Sequence, residues 1–345
     1  MNPSSLINLH PDFRHEGKSL NHLDLIKLAY DLIGNGQEFE KPIGQFLLDW
    51  FDSKPTISLK TSGSTGNPKT ILVKKQAMIN SANATGQFFD LLPKQRILLC
   101  LPSQFVAGKM MLVRAMVLGL DIYWVEPKAN PLQNNVLRFD FCAMVPLQAQ
   151  NSLLDLHQIK TLIIGGAATN LNLQTALLQL PTRCFETYGM TETVSHIAVK
   201  KIGETHFSIL PNISISVDSN QCLVIDAPNI LSKPLVTNDV VCLKIDSQFE
   251  LLGRLDDVVN SGGIKLFPEI IAKKLQLLVE PRFYFTKKND LVLGQKLIMV
   301  IEGDFFEINP SIFEVLDQYE TPKEIVFLQK FSETETGKVI KQNFE

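Results

Sequence analysis

The sequence predicts an α/β protein. Its large N-terminal domain is a helix-covered, mainly parallel sheet with a small β-barrel or meander, and a small α+β domain follows. Three observations carry this prediction. Between Thr56 and Gly189, short apolar runs alternate with segments of helical periodicity, as in a parallel sheet under helices. After His196, β-like runs follow one another with only turn residues between them, as in an antiparallel meander or small barrel. From Leu255 onward, helical and strand patterns mix again.

Taken in order, Leu20 to Ile33 sets Leu and Ile at helical spacing, with Gly34 as a stop. The alternation then begins with a strand at Thr56–Lys60, a Ser/Gly/Thr loop, and a helix at Lys74–Phe89. It continues as strand Arg96–Pro102, helix Ala107–Gly119, strands Asp121–Glu126 and Phe141–Pro146, and helix Leu147–Asp155. Strand Thr161–Gly166, helix Leu171–Leu180 and strand Arg183–Gly189 complete it. The meander is read at His196–Gly203, Ser214–Ser219, Gln221–Pro228, Asp239–Asp246 and Phe249–Leu255. Pro268 suits the first turn of a helix reaching Val279. Lys296–Gly303 reads as a strand and Pro310–Tyr319 as a last helix. The domain boundary is drawn between Arg254 and Leu255, giving domains 1–254 and 255–345.

Bulk properties exclude several function classes. A length of 345 residues suits two or three folding units, and 45% apolar residues suffice for a sizeable core. A net charge of −3 argues against nonspecific nucleic-acid binding, which needs clustered positive charge. Cys100, Cys142, Cys184, Cys222 and Cys242 include no C-x-x-C pair and read as small buried apolar residues of a reducing compartment. The N-terminus lacks a signal-peptide pattern, and no apolar run approaches the ~18 residues needed to span a bilayer. A cytoplasmic protein without membrane insertion is expected.

The chemistry starts at Thr61-Ser62-Gly63-Ser64-Thr65-Gly66-Asn67-Pro68-Lys69. Glycines let backbone N–H groups turn toward an anion, hydroxyls donate hydrogen bonds, and a lysine adds charge. A solvated linker is the plain alternative for any Ser/Gly run. A Walker A loop is disfavoured, because Pro68 stands where the second glycine's N–H would be needed. A different phosphate loop fits best.

This segment resembles the phosphate-loop signature of the adenylate-forming superfamily, which includes acyl-CoA synthetases, luciferases and peptide-synthetase adenylation domains. Three more motifs follow in that superfamily's order. They are Thr187–Glu192 (TYGMTE), Thr237–Asp239 (TND) with Gly253–Asp257 (GRLDD), and the C-terminal segment containing Thr336-Gly337-Lys338. The resemblance spans Thr56 to Phe344. It implies ATP as substrate, Mg²⁺ on Glu192, and an adenine site walled by Gly165, Gly166 and Ala167. Tyr188, Gly189, Met190 and Thr191 complete that site, with the aromatic face of Tyr188 able to stack a base. Asp239 would accept hydrogen bonds from ribose hydroxyls and Arg254 would donate to the same ring. The usual T-G-D is T-N-D here, and Asn238 is expected to tolerate the left-handed turn a glycine would make. Lys338 and Thr65 would stabilise charge during adenylate formation, with Lys341 as the competing lysine. Asp256 would be the hinge of a mobile C-terminal lid, and Gly263 and Lys265 would belong to the loop of the coenzyme A step.

Two residues speak to the acid. Phe105 stands where many relatives carry a histidine in L-P-x-x-H-x-x-G, and is expected to border the acyl pocket. Arg114 lies in an otherwise apolar helix pattern, where a guanidinium needs an anionic partner or a route to water. It either snorkels at the helix edge or binds a second carboxylate on the substrate. The spacing from Gly108 to Arg114 and the compact length are similar to the o-succinylbenzoate–CoA ligases of menaquinone biosynthesis. Only 60 residues precede Thr61, fewer than in a typical member, so part of the N-terminal subdomain is expected to be missing. The implied activity is a two-step acid–CoA ligase using ATP, Mg²⁺ and coenzyme A. A ligase for another aryl or fatty acid and a non-catalytic nucleotide-binding relative are the rivals. A homodimer is left open.

Overall fold

Apolar strands separated by helices fold as adjacent parallel strands, because each helix carries the chain back to the same starting edge. The computed structural model describes residues 9–60, 70–244, 247–333, 339–342 and 344. It divides into two units, residues 1–214 with 226–235, and residues 215–225 with 236–345.

The first unit opens with β1 (Arg14–His15), β2 (Lys18–Ser19), α1 (His22–Gly34) and α2 (Lys41–Phe51). Helix α1 starts two residues later than the apolar spacing suggests, because Asn21 caps it reciprocally with Asp24. Next come β3 (Thr56–Lys60), β4 (Thr70–Lys74), α3 (Lys75–Phe89), β5 (Arg96–Leu99), α4 (Val106–Leu118) and β6 (Asp121–Trp124). Then follow β7 (Phe139–Met144), α5 (Pro146–Asn151), β8 (Ile159–Ile164), α6 (Leu171–Leu178), β9 (Arg183–Gly189), β10 (His196–Lys201) and β11 (Phe207–Ile209).

The sheet of this unit runs in the order β11-β10-β9-β8-β7-β5-β6-β1-β2. From β9 through β8, β7, β5 and β6 to β1 the pairing is parallel, and antiparallel pairing lies at the edges, at β2 and from β10 onward. Ile97, Leu98, Leu99, Phe141, Leu162 and Ile164 are all buried, so central strands read as continuous apolar runs rather than alternating ones. Cys100 and Cys142 lie in this core with their sulfurs 3.7 Å apart.

One expectation changes. Thr56–Lys60 does not join the parallel sheet; β3 and β4 pair only with each other, antiparallel, from Thr56↔Lys74 to Lys60↔Thr70. Strand β4, not a helix, is thus the next described element after β3, whereas a Walker A motif runs from a strand into a helix. Strand β4 escaped the sequence reading because Val73 is its only buried residue.

The second unit contains β12 (Ser214–Val217), β13 (Cys222–Asp226), β14 (Leu235–Leu243) and β15 (Gln248–Arg254), lying side by side in that order. Among the described residues this is an open meander and not a closed barrel. Beyond it are β16 (Val259–Ser261), β17 (Ile264–Leu266), α7 (Pro268–Leu275), β18 (Phe283–Asp290), β19 (Gly294–Glu302) and β20 (Glu324–Leu328). Their sheet has the order β17-β16-β19-β18, with β20 parallel to β19. Helix α7 packs Ile271 and Leu275 into a core with Val259, Leu266, Phe285, Leu297 and Met299. It stops four residues short of the predicted end, where Leu277 and Leu278 stand exposed. The predicted helix at Pro310–Tyr319 is a 3₁₀ run of Pro310–Val315. Lys274 reaches over to Asp317 at 3.3 Å and Glu320 at 2.6 Å, holding the following residues in a turn.

Candidate functional site

In open α/β sheets, ligands bind beyond the C-terminal ends of the strands. The two predicted nucleotide motifs lie there, on adjacent parallel strands: Gly165-Gly166-Ala167 leaves β8, and Gly189 to Glu192 leaves β9. Gly165 presses so closely on β9 that a Cβ would sit 2.5 Å from Thr187 Oγ1. Gly166 has φ +86°, a conformation side chains resist, so this dipeptide is fixed by both packing and backbone. Ala167 is exposed at the loop.

A buried carboxylate holds the loop in place. Glu186, one turn of the strand pleat from Tyr188, accepts from Thr169 N at 2.8 Å, from Thr169 Oγ1, and from Lys200 Nζ at 2.6 Å. Burial alone would raise its pKa, but Lys200 and Thr169 outweigh it and hold the carboxyl below its ordinary value. Sequence reasoning passed over Glu186, although it stands inside the strand that carries the motif.

The turn from Gly189 to His196 is tightly wound. Thr193 Oγ1 accepts from Met190 N at 3.0 Å, and it faces Met190 O at 3.0 Å and Ser195 O at 2.8 Å. Val194 is buried with φ +69°, a left-handed conformation that costs a β-branched residue roughly 1–2 kcal/mol. Met190 and Thr191 are half-buried, and Glu192 is exposed at the turn. An exposed carboxylate on a fixed backbone suits a hard, oxygen-seeking cation such as Mg²⁺. Tyr188 differs from expectation: it is 8% exposed and its ring leans on Phe207 at 5.9 Å, leaving little free aromatic face.

Phe105 and Arg114 are not brought together. Phe105 is the N-cap of α4 and 44% exposed, whereas Arg114 is 2% exposed. Arg114 stands more than two helical turns further on, about 13 Å of rise along the axis. Arg114 does not snorkel. Its Nη2 donates to Ser195 Oγ at 2.8 Å and lies 3.4 Å from His196 Nδ1. Its Nη1 meets only the Met111 sulfur at 3.6 Å, and Nε has no hydrogen-bond partner among the described residues. No carboxylate pairs with it among them. Burial pushes its pKa down to about 10, so it remains cationic at neutral pH. Ser195, His196 and Thr85 were missed by the sequence reading; Ser195 and His196 had a signal in their adjacency to the Thr187–Glu192 motif, whereas Thr85 on α3 had none.

In the second unit, Asp239 and Arg254 are cross-strand partners on β14 and β15, with Arg254 Nη1 3.9 Å from Asp239 Oδ1. The register slips beside them, between Val240 and Val241, a bulge of the kind that re-aims side chains. Asn238 needs no left-handed turn, because it lies inside β14; its side-chain amide donates to Asp256. Lys287 Nζ also donates to Asp256 O at 2.6 Å, so the predicted hinge residue is held from two sides. Gly262 and Gly263, with φ +58° and +85°, form the two-residue turn between β16 and β17, which demands positive φ at both positions. Lys265 on β17 lines a largely apolar cavity of about 390 Å³ with Leu252, Leu255 and Val258. Lys341 is paired with Asp257 at 2.8 Å. Thr61, Ser62, Gly63, Ser64, Thr65, Gly66, Lys69 and Lys338 lie outside the described residues.

Known proteins share both sequence and fold with this chain. The family model described as AMP-binding enzyme matches residues 55–234. A 2-succinylbenzoate–CoA ligase of Listeria monocytogenes is 23% identical, over 85% of this chain and 70% of the relative. One from Enterococcus faecalis is also 23% identical, over 93% of this chain and 73% of that protein. A solved structure of an acyl-CoA synthetase (AMP-forming)/AMP-acid ligase II-like protein from Dyadobacter fermentans is 34% identical. It covers 91% of this chain and 96% of its own, at a TM-score of 0.64. The o-succinylbenzoate coenzyme A synthetase of Bacillus subtilis, solved with ATP and magnesium, shares the fold at a TM-score of 0.71. It is 16% identical, over 93% of this chain and 82% of that one. With the family match covering the sheet and both of its glycine-bearing turns, this chain belongs to the AMP-binding enzyme family.

Proposed function

We propose that the chain is an ATP-dependent acid–CoA ligase working through an acyl-adenylate, and that its acid is a dicarboxylate of the o-succinylbenzoate type. The observation that carries the choice of acid is Arg114: a fully buried guanidinium with unfilled donors and no carboxylate neighbour among the described residues. Such a charge is expensive unless an anion completes it. A fatty acid would leave it uncompensated; a second carboxylate on an aromatic acid would satisfy it bidentately. The curated relatives named above, which carry the o-succinylbenzoate activity in their names, support the same reading.

In the first half-reaction, a carboxylate oxygen of the acid attacks the α-phosphorus of ATP, forming a P–O bond as the bond to pyrophosphate breaks. The Gly165-Gly166-Ala167 loop, held by Glu186 through Thr169, borders the adenine. Asp239 accepts from the ribose hydroxyls, and Arg254 beside it steadies that carboxylate and donates to the sugar. Glu192 would hold Mg²⁺, which neutralises phosphate charge when bound. The Thr61–Lys69 loop with Thr65, and Lys338, would stabilise the charge that builds at the α-phosphate. In the second half-reaction, the coenzyme A thiolate adds to the acyl carbon and AMP leaves. The C-terminal residues would rotate about Asp256 to admit it, with Gly263 and Lys265 assigned to the coenzyme A step.

This reading places the protein with soluble small-molecule enzymes of the cytoplasm. No helix among the described residues is long and apolar enough to cross a membrane. Pyrophosphate release over a panel of acids, with and without coenzyme A, tests the proposal. Release with o-succinylbenzoate, and acyl-CoA only when coenzyme A is present, is the expected result. Release with fatty acids alone would move the reading to the first rival, and no release with any acid to the non-catalytic one. Lys338→Ala should abolish adenylate formation yet spare thioester formation from preformed adenylate.

A further inference from the structure

The polar cluster around Arg114 extends one residue further than the charge itself. His196 is buried at the start of β10, with Nδ1 3.4 Å from Arg114 Nη2 and Nε2 3.4 Å from Thr85 Oγ1 on α3. Arginine offers donors only, so Nδ1 must be the accepting nitrogen. Thr85 Oγ1 spends its hydrogen on Ser81 O at 3.0 Å, so it accepts from Nε2–H. The contacts thus fix one neutral tautomer, with its proton on Nε2. A second proton would set an N–H against the guanidinium inside a buried site. Burial and Arg114 hold the imidazole well below its ordinary value of 6.5, in agreement with that geometry.

The two hydrogens of Nη2 are therefore accounted for, one on Ser195 and one on His196. The donors left over are on Nε and Nη1, and among the described residues only a thioether meets them. We propose that His196 is a specificity-determining positioning residue: its neutral imidazole, with Ser195, pins one nitrogen of Arg114 so that the remaining donors face the second carboxylate of the substrate. The proposal rests on the dicarboxylate reading given above. Without the ring acceptor, Nη2 would be free to turn toward the incoming anion, and the guanidinium would lose its preset orientation. The acid would still be activated, but the advantage of carrying two carboxylates would shrink.

The test compares KM and kcat for o-succinylbenzoate and for an analogue lacking the second carboxylate, by pyrophosphate release. His196→Leu removes the acceptor and should raise KM for the dicarboxylate about tenfold, the worth of one hydrogen bond to a charged group. Its kcat, and KM for the analogue, should stay within about twofold. His196→Asn, whose Oδ1 can stand where Nδ1 stood, should recover most of the loss. Thr85→Val frees Nε2 and should raise the same KM by a smaller factor; it also serves if His196→Leu does not fold. In the unaltered protein the KM ratio of the two acids should be flat from about pH 6 to 8, because the ring stays neutral there. Equal effects on both acids, no recovery in His196→Asn, or a ratio that titrates near the ordinary histidine value would overturn the proposal. Arg114→Ala separates the two claims. If it changes the ratio and His196→Leu does not, the role of His196 is wrong and the dicarboxylate reading stands; if Arg114→Ala leaves the ratio unchanged, that reading goes first.

Discussion

Arg114 and Arg254 are the same side chain placed under opposite conditions. Arg254, 38% exposed at the side chain, has carboxylates of Asp239 at 3.9 Å and Asp256 at 3.8 Å. Water and two acids share its charge, and pairs of this kind contribute little to stability. Arg114 is buried, and among the described residues it meets no acid, only a hydroxyl, an imidazole and a thioether. The contrast teaches what each can offer: Arg254 and Asp239 carry no uncompensated charge before a ligand comes, whereas a buried cation among neutral acceptors would be completed by the anion proposed above.

The largest effect should come from removing the incomplete charge. Arg114→Ala is expected to lower kcat/KM for o-succinylbenzoate by about 10²- to 10³-fold, the range for truncating one side of a buried charge pair. A monocarboxylic analogue should lose far less, and equal losses would erase the distinction between the two arginines. Next, Asp239→Ala should raise KM for ATP about tenfold with little change in KM for the acid, since it removes an acceptor for ribose. Measured ATP dependence at saturating acid decides this.

A third effect follows from titration. His196 has a folded pKa below its unfolded value, so between those two values the unfolded chain binds one more proton. Stability therefore falls as pH drops below about 6.5, by at most about 1.4 kcal/mol per pH unit. Urea midpoints of the unaltered protein and of His196→Asn should converge as pH falls through that window. Glu186, lowered in the folded state, acts at more acid pH: its contribution is present above the unfolded carboxylate value and is lost as pH falls through the folded one. The smallest effect belongs to a half-buried pair near the surface. Lys341→Ala should cost less than about 1 kcal/mol and leave adenylate formation intact, because Lys341 is already engaged with Asp257. A large loss of activity there would transfer the catalytic assignment from Lys338.

Legibility in the sequence followed the range of the interactions. The parallel core was readable, and β9 begins and ends where its strand was read, at Arg183 and Gly189. Helices α3 and α4 were readable from their apolar periodicity. The ribbon of β3 and β4 was not, since a strand with one buried residue has no apolar pattern. The turn between β16 and β17 read as a loop, because strands of three residues are too short for alternation to show. The environment of Arg114 was half legible. Its oddity on an apolar helix pointed to an anion, but Ser195 lies 81 positions away and only the fold brings it near. Asn238 was assigned a turn by analogy with glycine, when the contact that matters is its side chain on Asp256.

The wound segment from Gly189 to His196 has a practical consequence for anyone who would retarget this protein. Within it stands Glu192, the carboxylate proposed for the cation, and at its far end stand Ser195 and His196, the two residues proposed to steer Arg114. Thr193 and the left-handed Val194 lock the ends together. On the proposed reading, remodelling the backbone of this turn to suit a new acid, unlike a single side-chain change at His196, would disturb the grip on nucleotide as well. Libraries aimed at altered acid preference should therefore be built on the facing surfaces of α3 and α4, leaving this segment untouched.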